Sequence, residues 1–112
     1  MPIDLDRTLA ALADPARRAA IDLLQQEPLC SSALAEALTL SRPAMSRHLR
    51  VLREAGLVEE ASSRDDARVR VYRLRREPFL TLRGWLDDVE AFWSEQLAGF
   101  KRYAEARSRE RS

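Results

Sequence analysis

The chain of 112 residues is long enough for one domain with its own core, and 46% hydrophobic residues is too many for a disordered segment. Nineteen cationic residues against eighteen acidic ones leave a net charge of +1, so bulk charge points to no acidic partner. The longest apolar run is five residues, 9–13, against the roughly 20 of a membrane span; the N-terminus carries Asp4, Asp6 and Arg7 instead of an apolar leader; and Cys30 stands alone. The expectation is therefore a cytoplasmic globular domain without membrane association or a disulfide framework.

Prolines at 2, 15, 28, 43 and 78 punctuate a chain with only three glycines. A first helix is predicted over 5–13, with Leu5, Leu9 and Leu12 on one face. Asp14 before Pro15 reads as an N-cap followed by proline at the first helical position, opening a second helix over 15–26 with Ala20, Ile21 and Leu24 inward. Pro28 ends it. Ser31 or Ser32 is expected to cap a third helix over 32–38, whose core residues are Leu34, Ala35 and Leu38. After the tight connection Thr39-Leu40-Ser41, Ser41 caps a fourth helix with Pro43 in its first turn. Gly56 stops it where a left-handed residue is wanted.

The period then changes. Residues 57–60 read as a short strand, 62–67 as polar turn material, and 68–74 (RVRVYRL) as an alternating strand, so that 57–75 forms a hairpin. From Pro78 the helical period returns to about residue 104, and 105–112 reads as a charged, flexible tail. Leu82, Leu86, Val89, Trp93, Leu97, Phe100 and Tyr103 recur three and four apart, and six of the seven aromatic residues lie in this stretch. So heavy an apolar stripe on one helix of a small protein calls for a partner. The expectation is a homodimer interface shared with the first helix and built from Leu5, Leu9, Leu86, Val89, Trp93, Leu97 and Phe100. Trp85, Phe92 and Trp93 admit a second reading as the lining of an effector pocket, although aromatics at helical spacing are more often packing residues.

The predicted fold class is mainly α with a small β-hairpin. Helix, three-residue turn, helix, glycine and hairpin is the layout of a winged helix-turn-helix, placed here at 31–56 with its wing at 57–75. Such a fold must lay one helix in a major groove about 12 Å wide, polar on one side and apolar on the other. At about 100° per residue from Met45, Leu49 lies near 40° and Leu52 near 340°, which makes these three the buried seam. On the same scale Arg50 lies near 140°, Pro43 near 160° and Arg47 near 200°, with Ser46 flanking them near 100°. Arg42 stands at the helix start, where base edges are met.

The charge distribution agrees with this geometry. Residues 1–40 hold three arginines and six acids, whereas 41–77 hold ten arginines and six acids, and 41–53 hold four arginines and no acid. Eighteen of the nineteen cations are arginine, which suits bidentate phosphate and base contacts, although a GC-rich genome produces the same bias. Arg64, Arg68 and Arg70 lie at or near the hairpin tip, where a wing reaches the DNA backbone or minor groove. Asp65 and Asp66 beside them either bend the turn or pair with Arg64 and Arg68.

The strings LADPARRAAIDLL at 12–24, LAEALTLSRPAMSRHLRVLREAGLVEE at 34–60 and VYRL at 71–74 resemble the ArsR/SmtB family of bacterial winged-helix repressors. The likeness covers about residues 9–103, and its most specific part is the S-x-P-x-x-S-x-H-L-x-x-L-x-x-A-G-L-V pattern at 41–58. The resemblance implies a homodimer, held by the first and last helices, that binds an imperfect inverted repeat in double-stranded DNA and represses its own or a neighbouring promoter until an effector releases it. Carried over by position, the DNA-binding residues are Ser41, Arg42, Ser46, Arg47 and Arg50, with Arg64 and Arg68 on the wing; Pro43 shares their face. Arg42 and Arg47 are expected to read bases. Ser41, Ser46 and Arg50 are expected to hold phosphates.

The signal-sensing motifs of that family are missing. Its metal sensors place Cys-x-Cys near the third helix, where this chain has LCSSALA, with Ser32 in place of a second thiol. Its last-helix sensors pair Asp with His, where this chain has Asp87, Asp88, Glu90 and Glu95 and no His. One thiol cannot supply the ligands a soft or borderline metal requires. No metal, no cofactor and no catalytic residue is expected, and the effector stays unidentified. His48, the only histidine, reads as a packed or capped imidazole or a phosphate contact. Two alternatives remain beside the repressor: a winged-helix protein-interaction module, and a repressor that senses thiol chemistry through Cys30.

Overall fold

The computed structural model describes residues 4–111. Five helices and one hairpin follow in the order α1 Leu5–Leu12, α2 Pro15–Leu24, α3 Ser31–Ala37, α4 Arg42–Glu54, β1 Val58–Ser62, β2 Arg70–Leu74 and α5 Arg76–Arg111. The fold is a winged helix-turn-helix, mainly α with one antiparallel hairpin. The chain divides into two compact units, one ending at Thr81 and one beginning at Leu82.

The first unit has one core. Ala11, Ala20, Ile21, Leu24, Leu34, Ala35, Met45, Leu49, Leu52, Leu57 and Val58 are buried and contiguous, and Pro78 is also fully buried. The seam Met45, Leu49 and Leu52 faces inward as the helical angle requires. The inward face of α1 differs from expectation. Thr8 and Ala11 are the buried residues, Leu12 packs beside them, and Leu9 stays 40% exposed. Small residues let α1 lie close to its neighbours, and the Thr8 hydroxyl is satisfied by donating to the Asp4 carbonyl at 3.2 Å.

Asp14 caps α2 by accepting from the N–H groups of Ala16 and Arg17 at 2.8 and 3.2 Å. Burial opposes its ionisation, but those two N–H groups and the Arg17 guanidinium outweigh this and hold the carboxyl below its usual range. The cap of α3 is a correction. It is Cys30, whose side chain makes no capping hydrogen bond, and neither Ser31 nor Ser32. Ser31 is already the first helical residue, so its hydroxyl has lost the capping position.

Two turns fix α4. At its start, Leu40 N–H reaches back to Ala35 O at 2.9 Å and Thr39 N–H to Glu36 O at 3.2 Å. This pair is a Schellman motif, and Thr39 occupies its left-handed position with φ +55°. At the other end the same pattern recurs around Gly56, at φ +78°, with Leu57 N–H to Leu52 O and Gly56 N–H to Arg53 O, both 2.9 Å. One end of the recognition element therefore uses glycine and the other a β-branched residue.

In the hairpin Val58 pairs with Leu74 and Ser62 with Arg70. The tip spans residues 63–69, so β1 is longer and β2 starts later than expected. Leu29 adds an antiparallel bridge to Tyr72, with N–H to O distances of 2.8 and 3.2 Å. A single apolar residue after proline carries no strand signal, which is why this bridge is invisible in the sequence.

The last helix begins at Arg76, two residues before Pro78; proline is tolerated there because first-turn N–H groups lack intrahelical partners anyway. It continues to Arg111, so the expected tail is helical from residue 105; Ser112 lies outside the described residues. Residues 104–111 are mostly Ala, Glu and Arg, all good helix formers. Arg107 also binds the Tyr103 hydroxyl at 3.1 Å and lies over its ring at 5.8 Å. In the unit beginning at Leu82, Trp93, Leu97 and Phe100 are 60%, 67% and 71% exposed.

Candidate nucleic-acid interface

Helix α4 is set by its cap as well as its seam. The Ser41 Oγ accepts from Ala44 N–H at 3.2 Å, which leaves the hydroxyl proton to donate outward. Opposite the seam, Arg42, Pro43, Ser46, Arg47 and Arg50 are all exposed. Among the described residues Arg42, Arg47 and Arg50 have no hydrogen bond, ion pair or ring contact. An open face of three uncommitted guanidiniums presents donors in the fork geometry that matches phosphates and guanine edges.

The neighbouring arginines are committed elsewhere. Arg53 binds Glu60 at 2.8 Å. Arg73 binds Glu59 at 2.7 Å, and Arg75 lies between Glu59 and Glu77 at 3.9 and 3.8 Å. At the wing tip Asp66 does both things the sequence left open. It bends the turn by accepting from Arg68 N–H at 3.0 Å, and it holds the Arg68 guanidinium at 3.3 and 3.4 Å. These bonds from Arg68 keep the Asp66 carboxyl below its usual range. Arg68 is thus internally paired, whereas Arg64 and Arg70 are exposed and unpaired among the described residues. Arg70 belongs beside Arg64 as a wing candidate. The acid within reach of each arginine separates these cases, across the hairpin for Arg73 and within the turn for Arg68.

Arg17 is a structural residue that sequence reasoning passed over. Its side chain is 16% exposed. Its Nε donates to Ala11 O at 2.7 Å and its NH2 to Ala10 O at 3.2 Å, while NH1 lies 3.4 Å from His48 Nδ1. Arg18 donates to Leu12 O at 2.8 Å. Together they satisfy the carbonyls of Ala11 and Leu12 at the end of α1, and Arg17 adds a second donor to that of Ala10, which also accepts from Ala13 N–H at 3.2 Å. Since a guanidinium can only donate, the contact assigns His48 Nδ1 as an acceptor and its proton to Nε2. His48 therefore joins the recognition helix to the α1–α2 corner, in keeping with a packed imidazole.

Cys30 is half-buried with its Sγ 3.3 Å from the Ser32 Oγ. That hydroxyl and nearby backbone N–H groups hold the thiol below its usual range. No group of three or more His, Cys, Asp or Glu side chains able to hold a metal occurs among the described residues. No described helix is long and apolar enough to cross a membrane.

The profile of the bacterial regulatory protein, arsR family, matches residues 14–60, which run from the α2 cap into β1. Over 95 residues the chain is 41% identical to the HTH-type transcriptional regulator Rv2034 of Mycobacterium tuberculosis, covering 85% of this chain and 83% of that one. The chain belongs to the ArsR family. An ArsR-like transcriptional regulator from a Rhodococcus species has the same fold at a TM-score of 0.72, with 31% identity over 89% of this chain and 92% of that one. The homodimeric winged helix-turn-helix DNA-binding domain Mb0332 from Mycobacterium bovis, a possible ArsR-family regulator, matches at a TM-score of 0.59, with 28% identity over 77% of each chain. As a member of the ArsR family the protein is a DNA-binding transcriptional regulator and not an enzyme, and Arg42, Arg47 and Arg50 lie on its recognition helix.

Proposed function

We propose that the protein is a dimeric cytoplasmic repressor that binds an inverted repeat in its own or a neighbouring promoter and does not respond to metal. The observation that carries this reading is the arginine face of α4. Among the described residues Arg42, Arg47 and Arg50 have no internal partner, and they lie opposite the Met45–Leu49–Leu52 seam. Two copies place their recognition helices in major grooves about one helical turn, or a small multiple, apart. Arg42 and Arg47 read base edges, favouring guanine through its O6 and N7. Ser41, Ser46 and Arg50 hold phosphates around Pro43. On the wing Arg64 and Arg70 reach the backbone; Arg68 joins them only by leaving Asp66.

Dimerisation is supported by the open apolar faces of α1 and α5. Leu5 and Leu9 lie on the first, and Leu86, Val89, Trp93, Leu97 and Phe100 on the second. The apolar stripe of α5 also takes in Trp85 and Phe92, which makes it wider than a single two-helix seam needs. A partner's α1 and α5 together fill such a width. Repression follows from occupancy, since a dimer on a promoter excludes polymerase.

The test is footprinting of the purified protein on its own upstream DNA at two salt concentrations, with and without Zn(II) and a thiol oxidant. The expected result is a protected inverted repeat, a steep salt dependence from released counterions and no metal response. Arg47→Ala should cost about 1–3 kcal/mol and relax specificity. Absence of protection at low salt refutes the repressor reading. Release by oxidant alone assigns the sensing to Cys30, whose lowered thiol range favours that chemistry.

A further inference from the structure

The side chains that join the recognition helix to the wing converge on one atom. Glu60 Oε1 accepts from Arg53 NH1 at 2.8 Å and from the Tyr72 hydroxyl at 2.9 Å. Arg53 stands in the last turn of α4, Glu60 on β1, and Tyr72 directly across from Glu60 on β2. Burial and this bond to Glu60 both push the Tyr72 hydroxyl above its usual range, so it stays a donor. The Tyr72 peptide group is held in turn by both bonds to Leu29, in the segment that leads into α3. One carboxylate oxygen thus ties together the recognition helix, both strands of the wing and the entry to the helix-turn-helix.

The other attachments of wing to helix are the turn bonds of Gly56 and Leu57 N–H to the end of α4 and the packing of buried Leu52, Leu57 and Val58. The turn bonds act at the root of the hairpin and apolar contact is non-directional, so neither fixes the tilt of the strands further out. Two hydrogen bonds from different elements to a single oxygen remove that freedom, because each is weakened steeply by a change of angle. A carboxylate is also an unexpected group beside a surface that meets phosphates, and a positioning role accounts for it. The same bonds direct Arg53 toward the wing and away from the face shared by Arg42, Arg47 and Arg50.

We infer that Glu60 is a positioning residue: it sets the angle of the wing against the recognition helix so that Arg64 and Arg70 reach the DNA backbone while α4 lies in the groove. The inference rests on the reading above in which those two arginines touch DNA. The experiment measures how much affinity the paired substitution Arg64→Ala/Arg70→Ala removes in two backgrounds, using the footprinted upstream DNA. The first background is the natural chain. The second carries Arg53→Met/Glu60→Leu, which deletes the hub at constant net charge. Both hub side chains lie at the surface, so the fold tolerates their loss, and Tyr72→Phe supplies a milder background that removes one bond only.

In the natural chain the two arginine substitutions are expected to weaken binding several-fold and to lower the salt slope by about 1 for each arginine. In the hub variant the same substitutions are expected to change affinity by no more than about twofold, the limit of simple additivity. Glu60→Gln, which keeps an acceptor for both donors, should retain most of the arginine dependence. An equal loss in both backgrounds overturns the positioning role. No loss in the natural chain overturns it as well, but by refuting the wing contacts themselves, and the two failures are told apart by that first measurement.

Discussion

Thr39 is a β-branched residue in the left-handed region, at φ +55°, in the turn that orients the recognition helix. For an L-residue with a Cβ this conformation costs roughly 1–2 kcal/mol, and the position persists because the surrounding bonds over-determine it. Here those are the N–H bonds of Leu40 to Ala35 O and of Thr39 to Glu36 O, at 2.9 and 3.2 Å. The Thr39 side chain is exposed, so little packing opposes its removal. Thr39→Gly relieves the strain but adds about 0.5–1 kcal/mol of backbone entropy to the unfolded chain. The difference is a stabilisation of about 0.5–1 kcal/mol, a rise of a few degrees in melting temperature for a chain of this size. The mirror experiment is Gly56→Ala at φ +78°. A Cβ there meets Arg75 NH1 at 3.7 Å and Pro78 Cγ at 4.0 Å, which is ordinary contact. The loss of about 1–2 kcal/mol is therefore conformational and not steric. Thermal unfolding at one fixed protein concentration reads both, since the melting point of the proposed dimer would depend on concentration. A Thr39→Gly chain that melts below the natural one refutes the strain argument, and so does a Gly56→Ala chain that melts above it.

Three further substitutions test other parts of the account. Arg17→Ala should destabilise by about 1–3 kcal/mol, because two α1 carbonyls and His48 Nδ1 lose a charged donor, whereas exposed Arg18→Ala should cost well under half of that in the same melting assay. Asp14 has its carboxyl held below the ordinary range, so its contribution is present at neutral pH and lost as the pH falls through the carboxylate range; the gap in melting temperature between the natural chain and Asp14→Asn should therefore shrink on acidification, and a gap independent of pH would refute the assignment. Asp66→Asn keeps an oxygen for the turn but frees the Arg68 guanidinium, so DNA affinity at low salt should rise, with a salt slope steeper by at most about 1 in a binding titration.

The helix-turn-helix was legible because its signals are local. Asp14-Pro15, Ser41 with Pro43, and Gly56 each act within one turn, and the Met45, Leu49 and Leu52 spacing names the buried face without reference to the rest of the chain. What was not legible depends on pairing between distant residues. The bridge of Leu29 to Tyr72, the reach of Arg17 to His48 and the pairing of Arg73 with Glu59 all follow from tertiary placement. The third-helix cap was misassigned for a local reason of another kind. Three consecutive residues, Cys30, Ser31 and Ser32, offer similar starts, and the backbone chose the one without an oxygen. The inward face of α1 was obscured because leucine is the stronger apolar signal, yet close helix approach favoured Thr8 and Ala11.

A net charge of +1 is compatible with DNA binding because the acids are placed to cancel particular arginines. Within residues 41–77 the acids Glu59, Glu60, Asp66 and Glu77 hold Arg53, Arg68, Arg73 and Arg75. Each of these pairs stands on the hairpin, at its tip, or where the hairpin meets a helix, and its bonds shape the wing. No such acid faces Arg42, Arg47 or Arg50. An exposed pair contributes little to stability, so the value of the pairing lies in selection. On the proposed function it withdraws arginines that would otherwise bind phosphate without regard to sequence, and leaves uncommitted guanidiniums on the recognition helix and, at Arg64 and Arg70, on the wing. Affinity for arbitrary DNA scales with the number of free cations, whereas discrimination scales with the number that meet bases. Sparing the recognition helix while neutralising its surroundings raises the second relative to the first.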